Sequence, residues 1–190
     1  IHNVMDELRN ADAVVLPLHG EMDWDEQKKC LESYSKPKVV VATNVAQTSL
    51  TIPDIDVVVD TGTARVSIAK DGIQGLFLEE ISMADIIQRK GRAGRTKDGK
   101  YILCSDYPEK YRKRSAVPEI QRSILDRVVL QMAEMGIDAE KMKFFHQPDV
   151  KAIQDAKKEL NAIGALSGDE VTELGHKIVK MPVSVQLARM

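Results

Sequence analysis

The chain is predicted to be an α/β protein: a parallel sheet with helices on both faces and an inserted β-hairpin, followed by a second, mainly helical segment of winged-helix type. Three features predict this. Lys38 to Ala42 (KVVVA) and Asp56 to Asp60 (DVVVD) are β-branched runs without polar alternation, the pattern of strands covered on both faces in a parallel sheet. Arg65 to Ile81 instead alternates around Lys70-Asp71-Gly72, which marks a hairpin. After Asp106 the strand-like runs stop and helical periodicity takes over.

In chain order, Ile1 to Arg9 reads as a helix and Val14 to Leu18 as a buried strand, followed by a polar loop. Trp24 to Tyr34 carries helix-forming residues. Thr43 to Ile55, dense in Thr, Ser, Asn and Asp, joins the two valine-rich strands. After the hairpin, Ser82 with Asp85 three residues on forms a capping-box pattern, with Asp in place of the usual Glu or Gln. The helix that follows delivers Gln88, and Tyr101 to Cys104 is the next strand.

Tyr107 to Pro118 is basic, holds two prolines and lacks apolar periodicity. This divides the chain into a first domain over 1–106, a linker over 107–118 and a second domain over 119–190. In the second domain, Ile120 to Met135 has apolar residues at Ile124, Val128 and Met132 and ends at Gly136. Asp149 to Ile163 is a helix stopped by Gly164. Ser167-Gly168-Asp169 is a turn, and Leu174 to Met181 is a helix ended by Pro182.

An apolar fraction of 43%, a charged fraction of 29% and a net charge of −2 over 190 residues are those of an ordinary globular protein. They exclude a globally basic nucleic-acid binder. The positive field is local: Ile86 to Arg122 holds eleven Lys or Arg against four Asp or Glu. Cys30 and Cys104 are unclustered and read as reduced thiols of an intracellular protein. The expected location is cytoplasmic, or nuclear in a eukaryote. No apolar run reaches the roughly 20 residues that span a bilayer, so no membrane is expected as a partner. The opening inside a helix, without Met, reads as that of an excised fragment.

Gln88 to Arg95 (QRKGRAGR) puts arginines at 89, 92 and 95 with glycines between them. A guanidinium presents a fixed fork of donors that grips phosphate oxygens in pairs. A basic helix end complementing the helix dipole would account for one or two such residues, not for the set. Gly94 to Lys100 (GRTKDGK) matches the core of a P-loop, but Tyr101 stands where Ser or Thr must hold magnesium, and the stretch runs from helix to strand. Ala42 to Ile55 (ATNVAQTSLTIPDI) lies at the C-terminal end of a predicted parallel strand, where α/β proteins bind ligands. Its hydroxyls and amides suit a phosphate backbone and equally suit a well-capped loop.

TNVAQTSLTI followed about 35 residues later by QRKGRAGR resembles helicase motifs V and VI of the DEAH-box RNA helicases of superfamily two. LPLHGEMDWDEQKK resembles that family's LPLYSSLPxxEQ segment, and VVVDTG its strand after motif V. VPEIQRSILDRVVLQMAEMGI and ALSGDEVTELGHKIVKMPVSVQLARM resemble its linker, its winged helix and the entry to the next domain. The resemblance therefore covers nearly the whole chain. It implies that the first domain is the second RecA-like domain of a motor whose other RecA-like domain, absent here with the strand before Ile1, supplies the P-loop and the magnesium carboxylates. ATP and Mg2+ would be used by the full-length protein. Gln88 would contact the γ-phosphate region, Arg92 and Arg95 would be arginine fingers, and Arg89 would pair with a carboxylate. Thr43, Asn44 and Thr48 would hold the backbone of single-stranded RNA. Ser49, Thr51 and Asp54 would couple that grip to the nucleotide.

Some positions depart from the family pattern. Pro53 stands where an acidic residue is common, with Asp54 one position later. Leu31 stands near the place of an adenine-stacking aromatic, and Gln47 and Lys90 replace a common Glu and Ala. The four histidines fit no metal or triad spacing, Asp54, Asp56 and Asp60 read as loop and strand-end residues, and Lys110 to Arg114 reads as a solvated linker before an RNA contact, which its location keeps open. No metal ligands are expected in this chain, and it is expected to be inactive alone. An activator protein is left open. Two other readings stand beside the helicase: a related superfamily-two DNA translocase, and a non-catalytic nucleic-acid-binding adaptor.

Overall fold

The computed structural model describes residues 1–48, 50–70 and 72–190. It falls into two units: residues 1–65 with 78–116, and residues 66–77 with 117–190.

The first unit opens with helix α1 (His2–Glu7), strand β1 (Val14–Leu18) and helix α2 (Trp24–Lys29). Helix α2 is shorter than the sequence suggests, and carbonyls at and beyond its end take side-chain donors. The Lys38 ammonium takes the carbonyls of Cys30 and Glu32 at 3.0 and 2.8 Å, and the Tyr34 hydroxyl takes that of Lys29 at 3.0 Å. Strand β2 (Lys38–Ala42) pairs in parallel with β1, with Val14 opposite Lys38 and Leu18 opposite Ala42. Strand β3 (Val57–Asp60) pairs in parallel with β6 (Lys100–Leu103). The expected single sheet is therefore two parallel pairs, with no ladder joining them among the described residues. Nor is β3 covered on both faces: Val57 and Val59 are exposed while Asp60 at its end is buried. The core of this unit gathers Leu18, Cys30, Leu50 and Ile52, with Leu31 partly buried against them.

Strands β4 (Thr63–Lys70) and β5 (Ile73–Glu80) form a two-stranded sheet. Helix α4 (Met83–Lys90) follows, the short helix α3 (Val45–Thr48) lying earlier, after β2. Ser82 and Asp85 cap α4 reciprocally, the Ser82 side chain accepting from the Asp85 amide and the Asp85 carboxylate accepting from the Ser82 amide. Two further N–H groups of its first turn, on Met83 and Ala84, donate to the carbonyls of Lys113 and Arg114. The basic run after Asp106 is thus not a solvated linker throughout. Arg112 is buried, donating through Nη1 to the carbonyls of Gly62 and Ile81 (2.8 and 3.0 Å) and through Nη2 to Ser105 Oγ (2.8 Å), with Glu80 at 2.8 Å.

The second unit holds residues 66–77 together with helices α5 (Asp126–Glu134), α6 (Val150–Ala162), α7 (Glu173–Val179) and α8 (Val185–Arg189). Short antiparallel strands β7 (Leu166–Ser167) and β8 (Glu170–Val171) flank the turn at Gly168. Helix α5 begins later than its periodicity suggests because the preceding backbone is engaged by the hairpin: Ala69 N–H donates to the Arg122 carbonyl and Ile124 N–H to Gln74 Oε1. Its buried stripe is Leu125, Val129 and Leu130, one position on from the expected Ile124 and Val128, while Met132 packs at the margin. Ile153, Leu160 and Ile178 complete this core. Among the described residues no helix is long and apolar enough to cross a membrane.

Candidate nucleotide and nucleic-acid site

Motif V begins where β2 ends. The Thr43 amide donates to the Leu18 carbonyl at 3.0 Å, continuing the β1–β2 ladder by one bond before the chain turns into α3. The Thr43 and Asn44 carbonyls accept from the Ala46 and Gln47 amides at 3.3 and 2.9 Å, and Thr43 Oγ1 faces the Val45 amide at 3.5 Å. The backbone demands of the turn are largely met by backbone, and Thr43, Asn44 and Thr48 are exposed. Ser49 lies outside the described residues. Leu50 and Ile52 then anchor the loop in the core, which leaves Thr51 between them exposed.

Helix α4 delivers motif VI against this loop. Arg92 donates through Nη1 to the Leu50 carbonyl at 3.1 Å and through Nη2 to the Gln47 carbonyl. Its Nε is buried without a partner among the described residues. Burial, and then the charge of Arg95, push its pKa below the ordinary guanidinium value, though a guanidinium stays charged throughout the working range. Arg95 is exposed, its Nε donating to the Gly91 carbonyl at 3.2 Å and its Nη1 to Thr51 Oγ1 at 3.1 Å. Gln88 is exposed and meets Gln47 at 2.9 Å. The structure therefore brings Gln88, Arg92, Arg95 and Thr51 together with the loop.

Asp54 has a different neighbour. Its Oδ1 accepts from Lys38 Nζ at 2.9 Å, and that hydrogen bond is the main reason its carboxyl is held below the usual range. Lys38 is itself nearly buried, with 6% of its side chain exposed, so Asp54 completes the lysine's shell of acceptors at the end of α2.

Arg89 takes the carboxylate partner expected of it. Its Nη1 donates to Asp60 Oδ1 at 2.7 Å and to the Thr63 carbonyl at 3.2 Å. Asp60 is a buried junction rather than a mere strand-end residue: it also accepts from the Gly62 amide at 2.9 Å and the Tyr101 hydroxyl at 2.7 Å. Burial, then the hydrogen bond to Asp60 and its negative charge, raise the Tyr101 pKa well above that of a free phenol. The tyrosine that spoils the P-loop pattern thus ties β6 to β3. The GRTKDGK loop itself leads from α4 into β6, and its Gly94 amide points at the Ile55 carbonyl.

Sequence reasoning assigned no role to Gln47, although its departure from a common Glu was visible. Its Nε2 donates to Asp85 Oδ1 at 2.7 Å and to Gln88 Oε1 at 2.9 Å, while its Oε1 accepts from Arg89 Nε at 3.0 Å. Burial opposes ionisation of Asp85, but hydrogen bonds from Ser82 and Gln47 and the charge of Arg89 outweigh it and hold the carboxyl below its ordinary range. No three His, Cys, Asp or Glu converge as a cation site among the described residues.

Comparison with known proteins agrees with the motifs. The family model described as the helicase conserved C-terminal domain matches residues 1–97. The ATP-dependent RNA helicase HrpA of Escherichia coli (strain K12) is 38% identical over 99% of this chain, which spans 15% of that protein. The probable ATP-dependent RNA helicase DHX35 of Homo sapiens is 37% identical over 93% of the chain, which spans 26% of it. In the crystal structure of the Escherichia coli DEAH/RHA helicase HrpB, 25% of that chain matches 99% of this one with a TM-score of 0.91 at 31% identity. The fold, the order of motifs V and VI and these likenesses together place the chain as a helicase C-terminal domain of the DEAH-box branch of superfamily two, the family to which it belongs.

Proposed function

We propose that the chain is the second RecA-like domain and winged helix of an ATP-dependent RNA helicase, supplying arginine fingers to hydrolysis and gripping the RNA backbone. The observation that carries this reading is the junction of the two motifs: Arg95 bonds Thr51 and Arg92 bonds the Leu50 carbonyl. Groups suited to nucleotide phosphate are thus bonded to the loop that carries the groups suited to a sugar–phosphate chain, a physical route for coupling the two. The HrpA and DHX35 relatives, named ATP-dependent RNA helicases, supply the substrate classes.

In the full-length protein, ATP is held by a first RecA-like domain, which also holds Mg2+. The magnesium ion supplies charge neutralisation at the phosphates. Arg95, exposed at the end of its loop, presents its guanidinium to the charge that develops on the transferred phosphoryl group, an effect on the order of 10³–10⁵ in rate. Arg92 follows once its carbonyl partners release it, and Gln88 meets the γ-phosphate region. The exposed side chains of Thr43, Asn44 and Thr48 take the RNA backbone, contacts that carry no sequence information and suit movement over any sequence. With no P-loop of its own, the isolated chain is inactive.

The test is RNA-stimulated ATP hydrolysis by the full-length protein. Arg95→Ala is expected to lower kcat by on the order of 10³-fold; an unchanged kcat would overturn the finger role. ATP turnover by the 190-residue chain that Arg95→Ala abolishes would overturn its inactivity.

A further inference from the structure

The Gln47 side chain spends both donors and one acceptor site on α4: the donors go to Asp85 and Gln88, and the oxygen accepts from Arg89. Its own carbonyl accepts from Arg92. One residue of the motif V loop thus touches Gln88, Arg89 and Arg92. The amide fits only one way round. Turned over, its oxygen would face the Asp85 carboxylate and its NH2 would face a guanidinium N–H.

A carboxylate in its place would set two anions 2.7 Å apart, at a site where Asp85 is already committed to Ser82. The glutamine and the aspartate are therefore matched: the negative charge sits on the helix, so the loop must answer with an amide. This gives a physical reason for glutamine where resembling sequences commonly carry glutamate. Moving the charge to the loop is possible if the helix gives it up, because Asn at 85 could donate to the new carboxylate while its oxygen still accepts from Ser82.

We propose that Gln47, matched to Asp85, is a positioning residue for nucleotide hydrolysis that sets the side chains of Gln88 and Arg92 for the phosphates. The inference rests on the function proposed above.

It is tested in the full-length protein by a double-mutant cycle, measuring kcat, KM for ATP and Tm with ATP and a single-stranded homopolymer RNA. Gln47→Glu is expected to lower kcat by ~10-fold, the effect of misplacing one hydrogen bond to a charged group, with KM for ATP within ~2-fold. Adding Asp85→Asn to it is expected to return kcat to within ~3-fold of wild type. If Gln47→Glu alone does not fold, recovery of folded, active protein by the double substitution supports the pairing and its failure overturns it. A merely structural role would lower Tm without lowering kcat far below the melting range, and that result would overturn the proposal. So would an unchanged kcat, or a double variant no better than Gln47→Glu. These results in an active wild type overturn this inference alone, whereas a wild type that hydrolyses no ATP overturns the function and the inference together.

Discussion

At the scale of single residues, the first unit turns on a few buried polar groups that lie far apart in sequence. Arg112 is the clearest. Its carbonyl partners belong to Gly62 and Ile81, at the two ends of the hairpin, and space for it exists because residue 62 has no side chain. Gly62 sits at φ +72°, and a Cβ there would lie 2.8 Å from both Arg112 Nη2 and Ser105 Cβ. Gly62→Ala is therefore expected to destabilise the protein by ~1–3 kcal/mol through backbone strain and displacement of the guanidinium, read by chemical denaturation. A loss within error would mean that the Arg112 cluster shifts freely. Little of this was legible. The run Lys110 to Arg114 carries no local sign of which basic residue is buried, since the answer is set by a glycine some fifty positions earlier. Arg89 was easier, because its place in the motif calls for a carboxylate, yet only the fold identifies Asp60. Of the motif residues, Thr51 and Arg95 could be named from the sequence, but that they bond each other could not.

At the scale of elements, legibility followed the locality of the signal. The Ser82–Asp85 cap and the strand bounds of β1 and β2 depend on neighbours in sequence, and the structure has them as read. The start of α5 depends on the hairpin that occupies the backbone at 122 and 124, and α2 ends beside carbonyls that Lys38 takes. Both were misjudged. In the helical unit the joint between α6 and its surroundings is a charge cluster: Lys157 meets Asp138 at 3.1 Å and Asp169 at 2.9 Å. The Glu140 amide, then Lys157 and Lys141, hold the Asp138 carboxyl down at about 2. A depressed carboxyl stabilises the fold above its unfolded pKa of ~4 and loses that contribution as pH falls through about 2. Asp138→Asn is therefore expected to lower Tm at pH 7, with the gap to wild type closing as melts are taken from pH 4 towards pH 2. A gap independent of pH would assign the loss to packing.

At the scale of the molecule there are two cores, one around Leu18 and Leu50 and one around Leu130, Ile153, Leu160 and Ile178. Each can lose its order with its own midpoint, so calorimetry is expected to depart from a single two-state transition. Leu130→Ala and Leu18→Ala, each removing a fully buried side chain at a cost of ~2–5 kcal/mol, should lower different parts of the heat-capacity trace. One transition that moves as a whole in both variants would contradict this. An expectation of two domains follows from the change of periodicity after Asp106. That residues 66–77 belong with the second unit does not, because a hairpin's alternation is silent about what its tip will bond. The chain passes from one unit to the other at 65–66, 77–78 and 116–117. A protease that cuts once, at the last of these, divides the sequence without dividing the units: one product carries Ala69 and Gln74 and the other their Arg122 and Ile124 partners. Recombination that shuffled these units as modules would have to exchange two separated segments together, so the pair is expected to be inherited as one block.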